Sequence, residues 1–239
     1  MPVELAIAIF VGLLLFILQR PKPTEDPNYQ KHVAFHEAAH AIMGIHCGFR
    51  CKGVILNVTA GKPEIIRPEY ADIHGTALID TAPFHNEFDL IKNSMIINLN
   101  RDALPRDEGT IQFAKKQLLI LYAGDLIVQK VFNVPNYYLG TNSKGYTQQG
   151  EDLNVIQNIH DYLEKVDQAW PPEEAKQAVH DIYDQYKEVR AAIHFLADRM
   201  LKKPGVMIPE VQIIEDLKTV NFFKSAAKSG EDNSELATD

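Results

Sequence analysis

Residues 32–48, HVAFHEAAHAIMGIHCG, constrain the fold more than any other stretch of the chain. His36, Glu37 and His40 spell H-E-x-x-H. Around them, residues 29–47 carry Val33, Ala34, Ala38, Ala41, Ile42 and Ile45 in a helical pattern. Ala38, Ala39 and Ala41 are small and favour helix. On a helix, His36 and His40 lie one turn apart, so both imidazoles leave the same face and reach one ion. Neutral imidazole nitrogen suits Zn²⁺ at about 2.0–2.1 Å. Glu37, beside the first histidine, is placed to take a proton from a water activated by the metal without being a ligand itself. The motif therefore predicts a metal-binding helix.

His46 lies ten residues after His36, the spacing at which metzincin proteases keep a third ligand. Those enzymes turn the chain at a glycine three residues after the second motif histidine. Here Met43 holds that place and Gly44 comes one residue late. If the helix continues, each residue turns about 100°, which puts His40 about 40° from His36 and His46 about 280° from it. His46 then faces away from the ion, as a helix-end histidine, and the third ligand is expected farther along.

The first residues depart from a plain globular pattern. Residues 5–18, LAIAIFVGLLLFIL, are fourteen positions without a polar side chain. A straight helix of that length covers about 21 Å, short of the roughly 30 Å hydrocarbon core. Met1 to Val3 bring it near the lower limit for a span. A cleaved signal peptide would want a basic start and a small-residue cleavage site, whereas Glu4 precedes the run and QRPKP follows it. A buried N-terminal helix should show a polar face, and this one has none. Residues 1–19 are therefore expected to form a single-pass membrane anchor. Arg20 and Lys22 just after it place the bulk of the chain on the cytoplasmic side.

The remainder reads as one folded domain. Residues 20–28 form a proline-rich linker, residues 29–224 the domain, and residues 225–239 a polar, acidic, disordered tail. Strands are expected at 53–59 and 75–80. Helices are expected at 86–100, 109–132, 151–166 and, opened by Pro171 and Pro172, from there to Lys203. Residues 133–150 read as a polar, glycine-containing loop. The fold class is mainly α with a small β-sheet, an α+β domain. At 46% hydrophobic and 23% charged residues the chain can bury a core. A net charge of −8, with its cations scattered, argues against a nucleic-acid partner. Cys47 and Cys51 cannot frame a chain of this size with disulfides, and read as ordinary thiols of a reducing compartment.

The segment KHVAFHEAAHAIMG resembles the start of the peptidase domain of FtsH-type, membrane-anchored, ATP-dependent zinc proteases, whose pattern is close to H-E-A-G-H-A. GVILNVT (53–59) and GTALID (75–80) match that family's two short strands. LLILYAGDLIVQKVF (118–132) matches its following long helix, and YTQQGEDLNVIQNI (146–159) the loop and helix start in which an S-N-D-L segment supplies an aspartate ligand. The helical stretch near 172–203 and VMIPEVQIIEDL after it parallel the end of the domain. The likeness covers roughly residues 30–218. It implies a zinc site of His36, His40 and Asp152 with Glu37 as general base. A short carboxylate opening a helix after a flexible loop suits that task, and two histidines with one carboxylate leave the open coordination position a catalytic zinc needs. Asp152 also suits a helix N-cap, and Glu151 beside it is the competing ligand.

The departures are specific. Ala39 stands where the family has glycine. Where the family's long helix carries Gly-Arg-Ala-Ala-Glu-Glu, this chain has Gly124-Asp125-Leu126-Ile127-Val128-Gln129, so both glutamates are gone and outer support for the site is expected to differ. No G-x-x-x-x-G-K-[ST] phosphate loop occurs in the 239 residues, so the resemblance implies a peptidase domain without the ATPase module. Two readings follow. One is a zinc endopeptidase acting, without ATP of its own, on unfolded or membrane-adjacent polypeptides, alone, as a homo-oligomer or beside an ATPase partner. The other is a catalytically silent accessory subunit that binds a client or an ATPase at the membrane.

Overall fold

A computed structural model describes residues 28–58, 73–81, 104–134 and 151–223. The expected membrane anchor at 1–19, the linker up to residue 27, the helix at 86–100, the loop from 135 to 150 and the acidic tail lie outside the described residues. Within them no helix is long and apolar enough to cross a membrane.

Helix α1 (Tyr29–His46) is the centre of the fold. Every residue from His32 to Gly44 is buried, because small and aliphatic side chains on all sides let other elements close round it. It packs against β1 (Arg50–Val58) and β2 (Ile73–Asp80), against α2 (Glu108–Phe132) and against α5 (Lys187–Lys202). Ile42 and Met43 have no exposed surface. Truncating Ile42 to Ala would cost about 2–5 kcal/mol, from lost transfer energy and the cavity left behind.

Helix α2 is started and stopped by its own sequence. Asp107 caps it, accepting hydrogen bonds from the backbone N–H and the hydroxyl of Thr110, both at 2.8 Å. These bonds hold the Asp107 carboxyl below its ordinary value. At the far end Asn133 takes a left-handed conformation, φ 53°, and donates its N–H to the Gln129 carbonyl. Helix α3 (Glu151–Lys165) and helix α4 (Pro172–Gln185) pack on α2.

The expected single helix from 172 to 203 is two helices. The chain leaves helical geometry at Tyr186, φ −97° and ψ 93°, and α5 begins at Lys187. Tyr186 packs its ring on His46 at the end of α1, centroids 5.1 Å apart. After α5 come a two-residue strand, β3 (Ile208–Pro209), and helix α6 (Glu210–Thr219). The mainly helical α+β reading holds, with a three-stranded antiparallel sheet in the order β2-β1-β3. Leu56 faces Gly75 and Arg50 faces Asp80, with a bulge between Cys51 and Gly53. The bulge absorbs the extra residue that lets β1 start at Arg50, three positions earlier than its β-branched run predicts. A two-pronged ion pair from Arg50 to Glu210, at 2.8 and 2.7 Å, ties the strand to α6.

Cys47 and Cys51 are free and buried. Burial pushes their thiols up to about 12 and about 11, so both stay protonated and inert at neutral pH.

Candidate metal centre

The two motif histidines meet. Nε2 of His36 and Nε2 of His40 are 2.8 Å apart, with the rings nearly perpendicular and their centroids 4.4 Å apart. His36, Glu37 and His40 are 4, 7 and 7% exposed, so the cluster sits in the protein rather than on it. The one-turn spacing delivers this arrangement, and α2 holds it in place.

Each imidazole is turned by an acceptor on α2. Nδ1 of His40 lies 2.7 Å from the carbonyl oxygen of Ile120. A carbonyl only accepts, so Nδ1 carries the proton and Nε2 presents a lone pair. Nδ1 of His36 lies 3.2 Å from Oδ1 of Asp125, a close charge contact rather than an aligned hydrogen bond. An ionised carboxylate also only accepts, which favours the same tautomer. Two lone pairs then face each other at 2.8 Å, and they repel unless a cation, a proton or a metal ion, lies between them. Zinc bound to both nitrogens at about 2.0–2.1 Å in tetrahedral geometry would hold them roughly 3.3 Å apart, a small opening of the two rings. The donor set and spacing fit such an ion.

Two glycines make the close approach feasible. A Cβ at Gly124 would lie 2.5 Å from Cε1 of His36 and 2.6 Å from Nε2 of His40. A Cβ at Gly75 would lie 2.0 Å from Cγ of Glu37. The backbone of α2 thus rests on the imidazoles and the backbone of β2 on the glutamate, so Glu37 sits between α1 and an edge strand.

The third expected ligand is placed less completely. Asp152 is the second residue of α3, and the side chains of Glu151 and Asp152 lie outside the described residues. Leu153, the next residue, shares the wall of a cleft of about 330 Å³ with Asp125, which touches His36. The first turn of α3 thus shares a cleft with the residue that touches His36. Among the described residues, no group of three or more His, Cys, Asp or Glu side chains converges on a single ion position. Asp125 is no substitute ligand, since it contacts the far nitrogen of the His36 ring.

Several other described histidines contact rings of their own. His46 packs at a tilt against Tyr186. His32 packs edge-on to Phe132, centroids 4.5 Å apart, and His194 packs against Phe35 at 5.0 Å. Sequence reasoning gave no role at the metal centre to Gly75, Ile120 or Asp125. Only Asp125 carries a signal, an acid set among the buried residues Gly124, Leu126, Ile127 and Val128.

No protein-family model matches the chain, and no curated protein or solved structure is significantly similar to it.

Proposed function

We propose that this chain is a zinc-dependent endopeptidase, similar to the peptidase part of the FtsH-type proteases. The observation that carries the reading is the pair of imidazole nitrogens at 2.8 Å, each ring turned from behind so that a lone pair faces inward. His36 and His40 would hold the ion, with the Asp152 carboxylate as third ligand. When bound, zinc supplies Lewis acidity, polarising a scissile carbonyl and making a water more acidic. Glu37 accepts the proton of the attacking water on its carboxylate and returns it to the leaving amine nitrogen. Its burial shields that carboxylate from bulk water, and contact with Gly75 fixes its position. An extended polypeptide can add antiparallel along residues 75–80, because β2 is an edge of the sheet among the described residues. A membrane anchor at 1–19 would favour membrane-adjacent substrates, and the unfolding of stable ones would be left to an ATPase partner.

A catalytically silent accessory subunit is the second reading, favoured by the missing glutamates in 118–132. Asp125 beside His36 weakens it, since a carboxylate again supports the ring. The test uses the full chain with an unfolded casein substrate. Glu37→Gln should cut turnover by about 10²–10⁴-fold while zinc content stays near one per chain. Asp152→Ala should lower zinc content. A wild-type chain that binds zinc and cuts nothing would establish the accessory role instead.

A further inference from the structure

We propose that Asp125 is the positioning residue of the metal centre. Its carboxylate holds His36 as the Nδ1–H tautomer and thereby aims Nε2 at the ion. The inference rests on the metal reading of the histidine pair.

Four observations carry it. Oδ1 of Asp125 lies 3.2 Å from Nδ1 of His36, on the side of the ring away from His40. Asp125 is only 15% exposed, on a helix whose neighbouring residues are buried, a costly place for a carboxylate without a cationic or N–H partner. Gly124, the preceding residue, lets α2 come close enough for so short a side chain to reach the ring. Finally, the two imidazoles are served unequally by one helix. His40 leans on a backbone carbonyl at Ile120, which no substitution removes, whereas His36 leans on a side chain five positions later. A carboxylate behind a histidine ligand fixes the ring and raises the basicity of its metal-facing nitrogen. Asp125 would thus restore the outer support that the missing glutamates of the long helix leave open. Asp125 lines a cleft with Leu153 and is 15% exposed, so its charge costs less than a sealed one.

Two measurements on the full-length protein test this. Competition with a chromophoric chelator reads zinc affinity. Asp125→Ala should weaken binding about 10–100-fold, and Asp125→Asn, whose amide oxygen still accepts from Nδ1, should recover most of the loss. Nitrogen-15 spectra of the histidine rings in metal-free protein read the tautomer without any metal. Wild type should carry a proton on His36 Nδ1, whether or not a second proton is shared between the two Nε2 atoms, and Asp125→Ala should lose the Nδ1 proton. A wild-type His36 with no proton on Nδ1 overturns the proposal even if the alanine variant does not fold. So does a folded Asp125→Ala chain with wild-type zinc affinity. If wild type fails to bind zinc, or binds it equally well after His40→Ala, the metal reading itself falls and this inference with it.

Discussion

At Gly124 an added methyl group would sit 2.5–2.6 Å from atoms of both motif histidines, and at Gly75 it would sit 2.0 Å from Glu37. Neither clash is relieved by a freely moving side chain, because the struck rings and carboxylate are themselves buried. Overpacking of this kind costs about 1–3 kcal/mol. The two substitutions should nevertheless separate by function. Gly124→Ala pushes the imidazoles apart, so zinc affinity should fall at least about tenfold, as for loss of an outer support. Gly75→Ala moves only the glutamate, so zinc should stay bound while casein cleavage falls. Chelator competition and a cleavage assay on the same two proteins decide it; equal zinc loss in both would sink the assignment of separate tasks. The sequence revealed His36, Glu37 and His40 because their chemistry depends on a spacing of one helical turn. It did not reveal the glycines or the Ile120 carbonyl, because their partners lie far along the chain, 80 residues away for Ile120 and His40. A glycine announces only that a side chain is missing, not what presses against the space.

Among the elements, α2 has the clearest internal signals and offers the simplest test. Its last turn is closed by Asn133 at φ 53°, a conformation that costs most side chains about 1–2 kcal/mol. Asn133→Gly should keep or slightly raise stability, and Asn133→Val should lower it by about 1 kcal/mol or more, read from urea unfolding. A valine variant as stable as wild type would mean that the helix end has no fixed geometry. Helix α1, the two longer strands and α2 were legible because periodicity and β-branched runs are local properties. The split between α4 and α5 was not. Tyr186 is neither glycine nor proline, and it leaves the helix where its ring meets His46 of α1. That contact is tertiary, and no local pattern announces it. Strand β3 escaped notice for a related reason. At two residues it is too short for any alternation, and it exists only because Gly53 and Val54 of β1 offer it hydrogen bonds. For Asp152 the likeness to a known pattern supplied a role that its helix-start position alone left open between ligand and cap.

For the whole molecule, histidines outside the candidate site lower stability in acid. His46, His160, His180 and His194 all titrate below the ordinary 6.5, and in each the largest cause is burial, which disfavours the charged ring. The unfolded chain therefore binds more protons than the folded one once pH drops towards 6.5, and stability falls with pH from there. The contribution of these groups is fully present above 6.5 and is lost as pH falls through their depressed folded values. The expected outcome is a urea midpoint that declines between pH 7 and pH 5, above the range where most carboxylates titrate. Zinc release would act in the same direction, since ligating imidazoles must be neutral. Comparison of variants therefore isolates the structural histidines. His194, packed on Phe35 and 3.1 Å from the Tyr183 hydroxyl, is the best placed of the four. His194→Gln cannot charge, so its midpoint should change less steeply with pH than that of wild type, whatever the metal centre does. Parallel slopes in the two proteins would show that His194 titrates alike in the folded and unfolded chain. Burial around α1 would then not be what sets the acid limit of this fold.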